Sequence, residues 1–175
     1  MEVVYTIGHS SRCIEEFLET LVSLDIKLVV DVRRWPSSRK YPHFNRDNLG
    51  STLPQHGIKY LWIPELGGYR KFGIDVDDQG LATCFESEGF RAYATYILTS
   101  PTAEEALLRL EELARSYRTA IMCSERVPWR CHRKIIADWL LSRGFRVVHI
   151  IDPGRLVEHR PTRCAVVEGG RLTYI

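Results

Sequence analysis

The sequence predicts a single α/β domain over residues 1–175, Rossmann-like or flavodoxin-like, with a mainly parallel sheet and helices on both faces. Two observations carry this. Short runs of β-forming apolar residues alternate along the chain with stretches whose apolar residues recur at helical spacing. The 175 residues, 45% hydrophobic and 26% charged, show no repeat, low-complexity stretch or linker, which suits one core.

Val3 to Ile7 is an apolar run rich in β-formers, closed by Gly8. Ile14, Phe17, Leu18, Leu21 and Val22 then recur at helical spacing, with Ser10 and Ser11 as candidate caps. Leu28 to Val32 reads as a buried strand. Asn45 to Gln55 reads as a helix with Asn45 as N-cap and Gly57 beyond its end. Lys59 to Ile63 is a third strand, and Phe90, Tyr93, Ala94, Ile97 and Leu98 make a helical stripe. Thr102 and Glu105 have capping-box spacing for the helix carrying Ala106, Leu107, Leu110, Leu113 and Ala114. Thr119 to Cys123 is a strand. Ile135, Ile136, Trp139 and Leu140 mark a helix ending at Gly144, and Arg146 to Ile151 is the last core strand. Val166 and Thr173 flank a hairpin turning at Gly169-Gly170, expected at the sheet edge.

Open parallel sheets bind ligands beyond the carboxyl ends of their strands. That rule gathers Gly8 to Ser11, Asp31 to Ser38, Pro64 to Gly68, Cys123 to Glu125 and Asp152 to Gly154. The charge pattern points to the same ends. The total is only +2, yet residues 33–71 and 126–163 each carry a net +6, against −4 for 1–32 and −6 for 72–125. Basic blocks at strand ends imply an anionic partner; the competing reading is solvated faces. Nineteen of the 24 cations are Arg, whose planar fork matches phosphate. Four Asn and Gln residues and two Met suit a thermophilic source.

No apolar run is long enough to cross a bilayer, and the N-terminus shows no basic leader, so a cytoplasmic protein without a membrane partner is expected. The five cysteines, with no CxxC pair, argue against a secreted disulfide scaffold. There is no GxGxxG and no GxxxxGK[ST], so neither dinucleotide-cofactor nor NTPase chemistry has motif support, and no cofactor is expected.

Several stretches together resemble the family called domain of unknown function 488. They are Thr6-Ile7-Gly8-His9-Ser10, Asp31-Val32-Arg33 with Pro36 and Ser38, Leu66-Gly67-Gly68, Met122-Cys123-Ser124-Glu125 through Cys131-His132-Arg133, and His149-Ile150. The resemblance implies a compact Rossmann-like fold and no settled activity, so function is argued from the site.

Cys123-Ser124-Glu125 followed by Cys131-His132-Arg133 is the densest feature. The second triplet falls at a helix start, where free N–H groups and the dipole favour an anion. Arg33, Arg34, Ser38, Arg130, Cys131, His132 and Arg133 are therefore the expected anion-binding set. The bland alternative packs Cys131 and pairs Arg133 with Glu125. A tyrosine-phosphatase loop needs Arg six positions after the Cys; from Cys123 that position is Trp129, and Arg130 comes one later. The tight Cys-to-Arg loop of a rhodanese is likewise absent, though a helix start beside Arg would lower a thiol pKa. Zinc on Cys123, Cys131 and His132 lacks a completing ligand pair, so no metal is expected. A Cys123–Cys131 disulfide is a minor alternative.

Asp31 and Glu125 end two strands and, if these are neighbours, put two carboxylates in one crevice, with His9 as a third acid–base group and Cys123 as a candidate nucleophile; the competing readings pair Asp31 locally with an Arg and make His9 a loop hydrogen-bonder. Paired carboxylates cleave glycosidic bonds. Residues 33–45 interleave cations with aromatics, so Trp35, Phe44 and Trp129 are expected to stack on a base, with Trp62, Tyr69 and Phe72 extending the wall. The competing reading uses these aromatics to pin a long loop. The leading expectation is an enzyme on nucleic acid or nucleotides, hydrolysing an N-glycosidic bond as in DNA base excision. The alternatives are a cysteine-dependent enzyme on a small sulfur- or phosphorus-containing substrate, and a nucleotide or nucleic-acid binding module without chemistry.

Overall fold

The structure is a computed structural model and describes residues 2–175. In chain order the elements are β1 (Val3–Gly8), α1 (Ile14–Ser23), β2 (Leu28–Asp31), α2 (Arg46–Thr52), β3 (Lys59–Trp62), α3 (Glu88–Thr99), α4 (Pro101–Ser116), β4 (Thr119–Cys123), α5 (Arg133–Ser142), β5 (Arg146–Asp152), β6 (Arg155–Glu158), β7 (Ala165–Glu168) and β8 (Arg171–Tyr174). The main sheet runs β3-β2-β4-β1-β5-β6, parallel except for β6. The α/β class, the parallel sheet and the helices on both faces are as the periodicity predicts.

Strand alternation divides the core. Tyr5, Ile7, Val29, Ala120, Met122, Val148 and Ile150 face α1 and α2, which contribute Phe17, Leu21 and Leu49. Val4, Leu28, Val30, Ile121 and Val147 face the side covered by α3, α4 and α5. Each large side chain so buried is worth about 1.5–3 kcal/mol. On that second face β1 and β5 also carry buried polar residues, Thr6 and His149, side by side in register.

The strand order decides where the site lies. β4 sits between β1 and β2, so the ends of these three strands adjoin. Pairing continues past the strands: His9 and Ser10 donate to the carbonyls of Cys123 and Ser124, and Val32 donates to that of Met122. Gly8 permits this. A Cβ there would stand 1.8 Å from the Glu125 carbonyl oxygen. Gly67 plays the same part against the Arg34 backbone, where a Cβ would meet Cα at 2.5 Å.

Some local expectations are corrected. Ser10 and Ser11 do not cap α1; its N-cap is Cys13, and no side chain closes it. Ser100, not Thr102, caps α4, accepting from Ala103 N, because Pro101 already occupies the first helical position. The helix from residue 45 is shorter than expected. It ends at Thr52, and a 3-10 turn (Pro54–His56) fills the rest before Gly57 at φ +75°. The hairpin β7–β8 forms a separate two-stranded sheet packed on α5. The main-sheet edge is instead β6, turned back on β5 at Pro153-Gly154. A Cys84–Cys164 disulfide ties the loop before α3 to this hairpin. Among the described residues no helix is long and apolar enough to cross a membrane.

Gly8→Ala is expected to destabilise the protein by about 2–4 kcal/mol, because the Glu125 backbone must move. Gly50→Ala, on a helix with its nearest neighbour 3.8 Å away, is expected to be neutral or stabilising by up to about 1 kcal/mol. Urea denaturation of both variants checks the contrast.

Candidate functional site

The ends of β1, β2 and β4 open into a cavity of about 700 Å³. The buried His9, Cys123 and Cys131 line it together with His132, Glu125 and Arg130, and so do Arg33, Arg34, Ser38, Trp35 and Tyr69.

Cys131 sits just before α5, so the first helical N–H, from Arg133, points at its sulfur (3.4 Å). The Cys123 and Cys131 sulfurs are 2.7 Å apart, and His132 Nδ1 is 3.5 Å from the Cys131 sulfur. His132 Nε2 donates to the Val32 carbonyl (2.8 Å), which fixes the ring and leaves Nδ1 toward the thiol. Room for the ring comes from Gly68, where a Cβ would touch Nδ1 at 3.0 Å, and Tyr93 packs edge-on against it. Burial alone would raise the Cys131 pKa. The hydrogen bond from Cys123, His132 and the Arg133 charge outweigh it and hold the thiol well below its ordinary value. Burial and the bond to Cys131 push the Cys123 thiol up. The two sulfurs are therefore biased in opposite directions, Cys131 toward losing its proton and Cys123 toward keeping it.

The two arginines expected to bind an external anion most directly, Arg33 and Arg133, are spent inside. Arg33 is buried, bonded through Nε and Nη2 to Asp31 and through Nη2 to the Phe44 carbonyl. Arg133 has no exposed surface; it donates to Thr6 Oγ1 and to the carbonyls of Glu125 and Arg126. Burial opposes its charge, but Cys123 and Cys131 more than compensate, and its pKa is raised. Asp31 is likewise no free carboxylate. It accepts from Arg33 and from Tyr60 Oη (2.5 Å), is fully buried and lies outside the cavity wall.

His9 donates from Nδ1 to the Ser10 carbonyl, and Nε2 faces Arg33 Nη1 at 3.3 Å. Burial lowers its pKa to about 4, so it is neutral and cannot serve as an acid near pH 7. Phe44 is fully buried against His9 and Phe17, a core residue rather than a stacking platform. Ser38 braces its own loop through Asn45 and Tyr41. Trp62 bonds the Arg33 carbonyl and Phe72 lies under Arg91, so neither joins the wall.

Other expected residues face the cavity. Trp35, 62% exposed, lines it, whereas Trp129, 54% exposed, does not and so supplies no platform there. Trp35 packs 5.7 Å from Tyr69, itself 75% exposed with φ +60°. Arg34 holds this pair from below, donating to the Tyr69 carbonyl and to Asp75. Arg130 is exposed and has no carboxylate partner among the described residues. Glu125 is exposed and braces Val127 N. Among the described residues no group of three or more His, Cys, Asp or Glu is placed to hold a metal.

Over residues 13–140 the chain matches the family described as Domain of unknown function DUF488. The protein belongs to this family. No curated protein and no solved structure matches it. The DUF488 match includes Cys123 through Arg133 but leaves out the Thr6–Ser10 and His149–Ile150 stretches.

Those outlying stretches supply the residues that sequence reasoning missed. Arg133 Nη1 donates to Thr6 Oγ1 (2.8 Å), which lies 2.6 Å from His149 Nδ1; His149 Nε2 meets His159 Nδ1 (2.8 Å), and His159 Nε2 meets Asp138 (2.8 Å). Asp138, on α5, also accepts from Thr162 and Tyr174. The available signal was a threonine and a histidine in the middle of apolar strands, where a polar side chain requires a partner.

Burial, then the charges of His159 and Arg133, lower the His149 pKa to about 3. With His9 at about 4, both rings refuse protons that the unfolded chain binds near pH 6.5. Stability from this source is complete above pH 6.5 and is lost as pH falls toward 4 and then 3. The expected slope between pH 6 and 5 approaches about 1.4 kcal/mol per pH unit for each histidine. Urea denaturation at pH 7.5, 6 and 5 checks it; a flat stability over that range contradicts it.

Proposed function

We propose that the protein is a cysteine-dependent enzyme in which Cys131 attacks a sulfur- or phosphorus-centred group of a small substrate held in the cavity. One observation carries the reading. At the cavity the Cys131 sulfur accepts from the Arg133 backbone N–H and lies against the Cys123 sulfur and His132 Nδ1. A thiolate, a nitrogen base and a carbonyl that orients the base are the parts of an activated nucleophile.

Each wall then has a task. His132 takes the Cys131 proton and returns it to the leaving group. Arg130, exposed and unpaired among the described residues, draws in an anionic substituent such as phosphate. Trp35 and Tyr69 offer ring faces at the cavity, suited to a flat group such as a base.

N-glycosidic hydrolysis is the second reading, favoured by those same exposed rings beside Glu125. It has less support, because Glu125 is the one carboxylate among the residues lining the cavity. Cleavage of oligonucleotides carrying damaged bases by a Cys123→Ser, Cys131→Ser double variant would decide for it.

The thiolate is expected to show as alkylation of Cys131 by iodoacetamide with an inflection well below the about 8.5 of a free cysteine. Peptide mapping separates Cys131 from the exposed Cys13. His132→Gln is expected to slow the reaction at pH 6 by about tenfold. An inflection at pH 8 or above in the folded protein overturns the reading.

A further inference from the structure

Cys123 has no role in a mechanism that uses Cys131 alone, yet its placement is not that of a filler. Its sulfur is 2.7 Å from that of Cys131, across a loop of seven residues closed by pairing on both sides. Cys123 ends β4, held there because its carbonyl accepts from His9. Cys131 is held by the start of α5. Both line the same cavity, so a molecule that reaches one reaches the other. The remaining cysteines take no part. Cys84 and Cys164 are already joined, and Cys13 lies on the surface.

From this juxtaposition we infer that the site is a two-electron dithiol couple that reduces small-molecule disulfides, with Cys131 as the attacking thiolate and Cys123 as the resolving thiol. The inference rests on the nucleophile reading above and names its substrate class. In the first step the Cys131 thiolate attacks one sulfur of a disulfide RS–SR. A Cys131–SR bond forms, the RS–SR bond breaks, and one thiolate leaves with the bonding pair. In the second step the Cys123 sulfur attacks the Cys131 sulfur. The Cys123–Cys131 bond forms, the second thiolate leaves, and the Cys123 proton passes to it. The substrate gains two electrons and becomes two thiols, and the protein loses two. An external dithiol returns the pair to its starting state by the same exchange in reverse.

The geometry suits both steps. The attacking sulfur is the one with its charge stabilised by a helix start, an imidazole and a buried guanidinium. The resolving sulfur is already in contact, so closing the bond needs little backbone movement. His132 Nδ1 lies beside Cys131 to protonate the first leaving group.

The test uses the full chain carrying Cys13→Ser, reduced, with oxidised glutathione as the probe. Released thiol is counted, and the products are mapped by peptide mass. The expected result is two glutathione thiols released per protein, a Cys123–Cys131 cross-linked peptide and no retained glutathione. Cys123→Ser and Cys123→Ala are both expected to stop at one released thiol with glutathione held on Cys131. Cys131→Ser is expected to slow release at least 100-fold. Glutathione retained on Cys131 of the parent protein, or cysteines that iodoacetamide alkylates well below the inflection of a free cysteine but oxidised glutathione leaves untouched, would overturn the couple while sparing the nucleophile. Equal release from Cys131→Ser would overturn the assignment of roles. Circular dichroism of each variant confirms that it is folded.

Discussion

The constraint on which the rest of this structure depends is the burial of the Arg133 guanidinium. A cation with no exposed surface costs several kcal/mol unless its donors are met and its charge is answered. Two of its nitrogens are met by Thr6 and by the carbonyls of Glu125 and Arg126, while Nε is buried with no partner. The neighbouring cysteines, Cys123 and Cys131, favour its charged form against that burial. Each requirement shapes the chain. The Glu125–Arg126 backbone must turn inward, which is why the opposing residue on β1 has no Cβ. A hydroxyl must stand at position 6 in an otherwise apolar strand. A thiolate must sit at the start of α5. The reactive group and the core are thus one electrostatic unit.

Asp31 and Arg33 make a second such unit under the other half of the cavity. The carboxylate ending β2 is saturated by Arg33 and Tyr60, and the guanidinium also holds the Phe44 carbonyl. This pair anchors the long loop from β2 to α2 rather than binding substrate. The two basic blocks of the sequence are correspondingly less open than their net charges suggest. Arg34 is drawn to Asp75, Arg126 to Asp152, and Arg12 lies buried between Gly8, Ile151 and Glu16. Exposed cations at the cavity reduce chiefly to Arg130.

What was legible in the sequence was whatever depends on local periodicity. The five parallel strands and the five helices follow from apolar spacing, and the rule that ligands sit beyond strand ends located the cavity. Burial of individual cations was not legible, because Arg33 and Arg133 read like the half-buried Arg34 and the exposed Arg130 near them. For Arg133 only the three-dimensional adjacency of Thr6 separates them; the Asp31–Arg33 pair, two residues apart, was open to a local reading. The same holds for Phe44 against Trp35: both are aromatics in one loop, but Phe44 meets Phe17 on α1. The β6 edge escaped because its four residues, Arg-Leu-Val-Glu, are largely exposed and carry no apolar pattern. The Cys84–Cys164 pair, 80 residues apart, had no local signal at all.

The difference between the two central thiols is itself a product of topology. Cys123 ends a parallel strand, where its nearest oxygen, the Glu125 carbonyl 3.7 Å away, can only accept. That end of the pair therefore favours a sulfur that keeps its proton. Cys131 precedes a helix, where the nearest backbone group is an N–H that can only donate. That end favours a sulfur that has lost its proton. The polar chain behind Arg133 has a similar direction. Hydrogen bonds link Arg133 through Thr6, His149 and His159 to Asp138, so a guanidinium at one end is joined to a carboxylate at the other. Asp138 lies five residues along the same helix as Arg133, and the chain between them passes through β1, β5 and the segment after β6. The guanidinium beneath the thiolate is thereby fixed from both faces of the helix start. A strand end, a helix start and one buried cation suffice to make two adjacent cysteines chemically unlike.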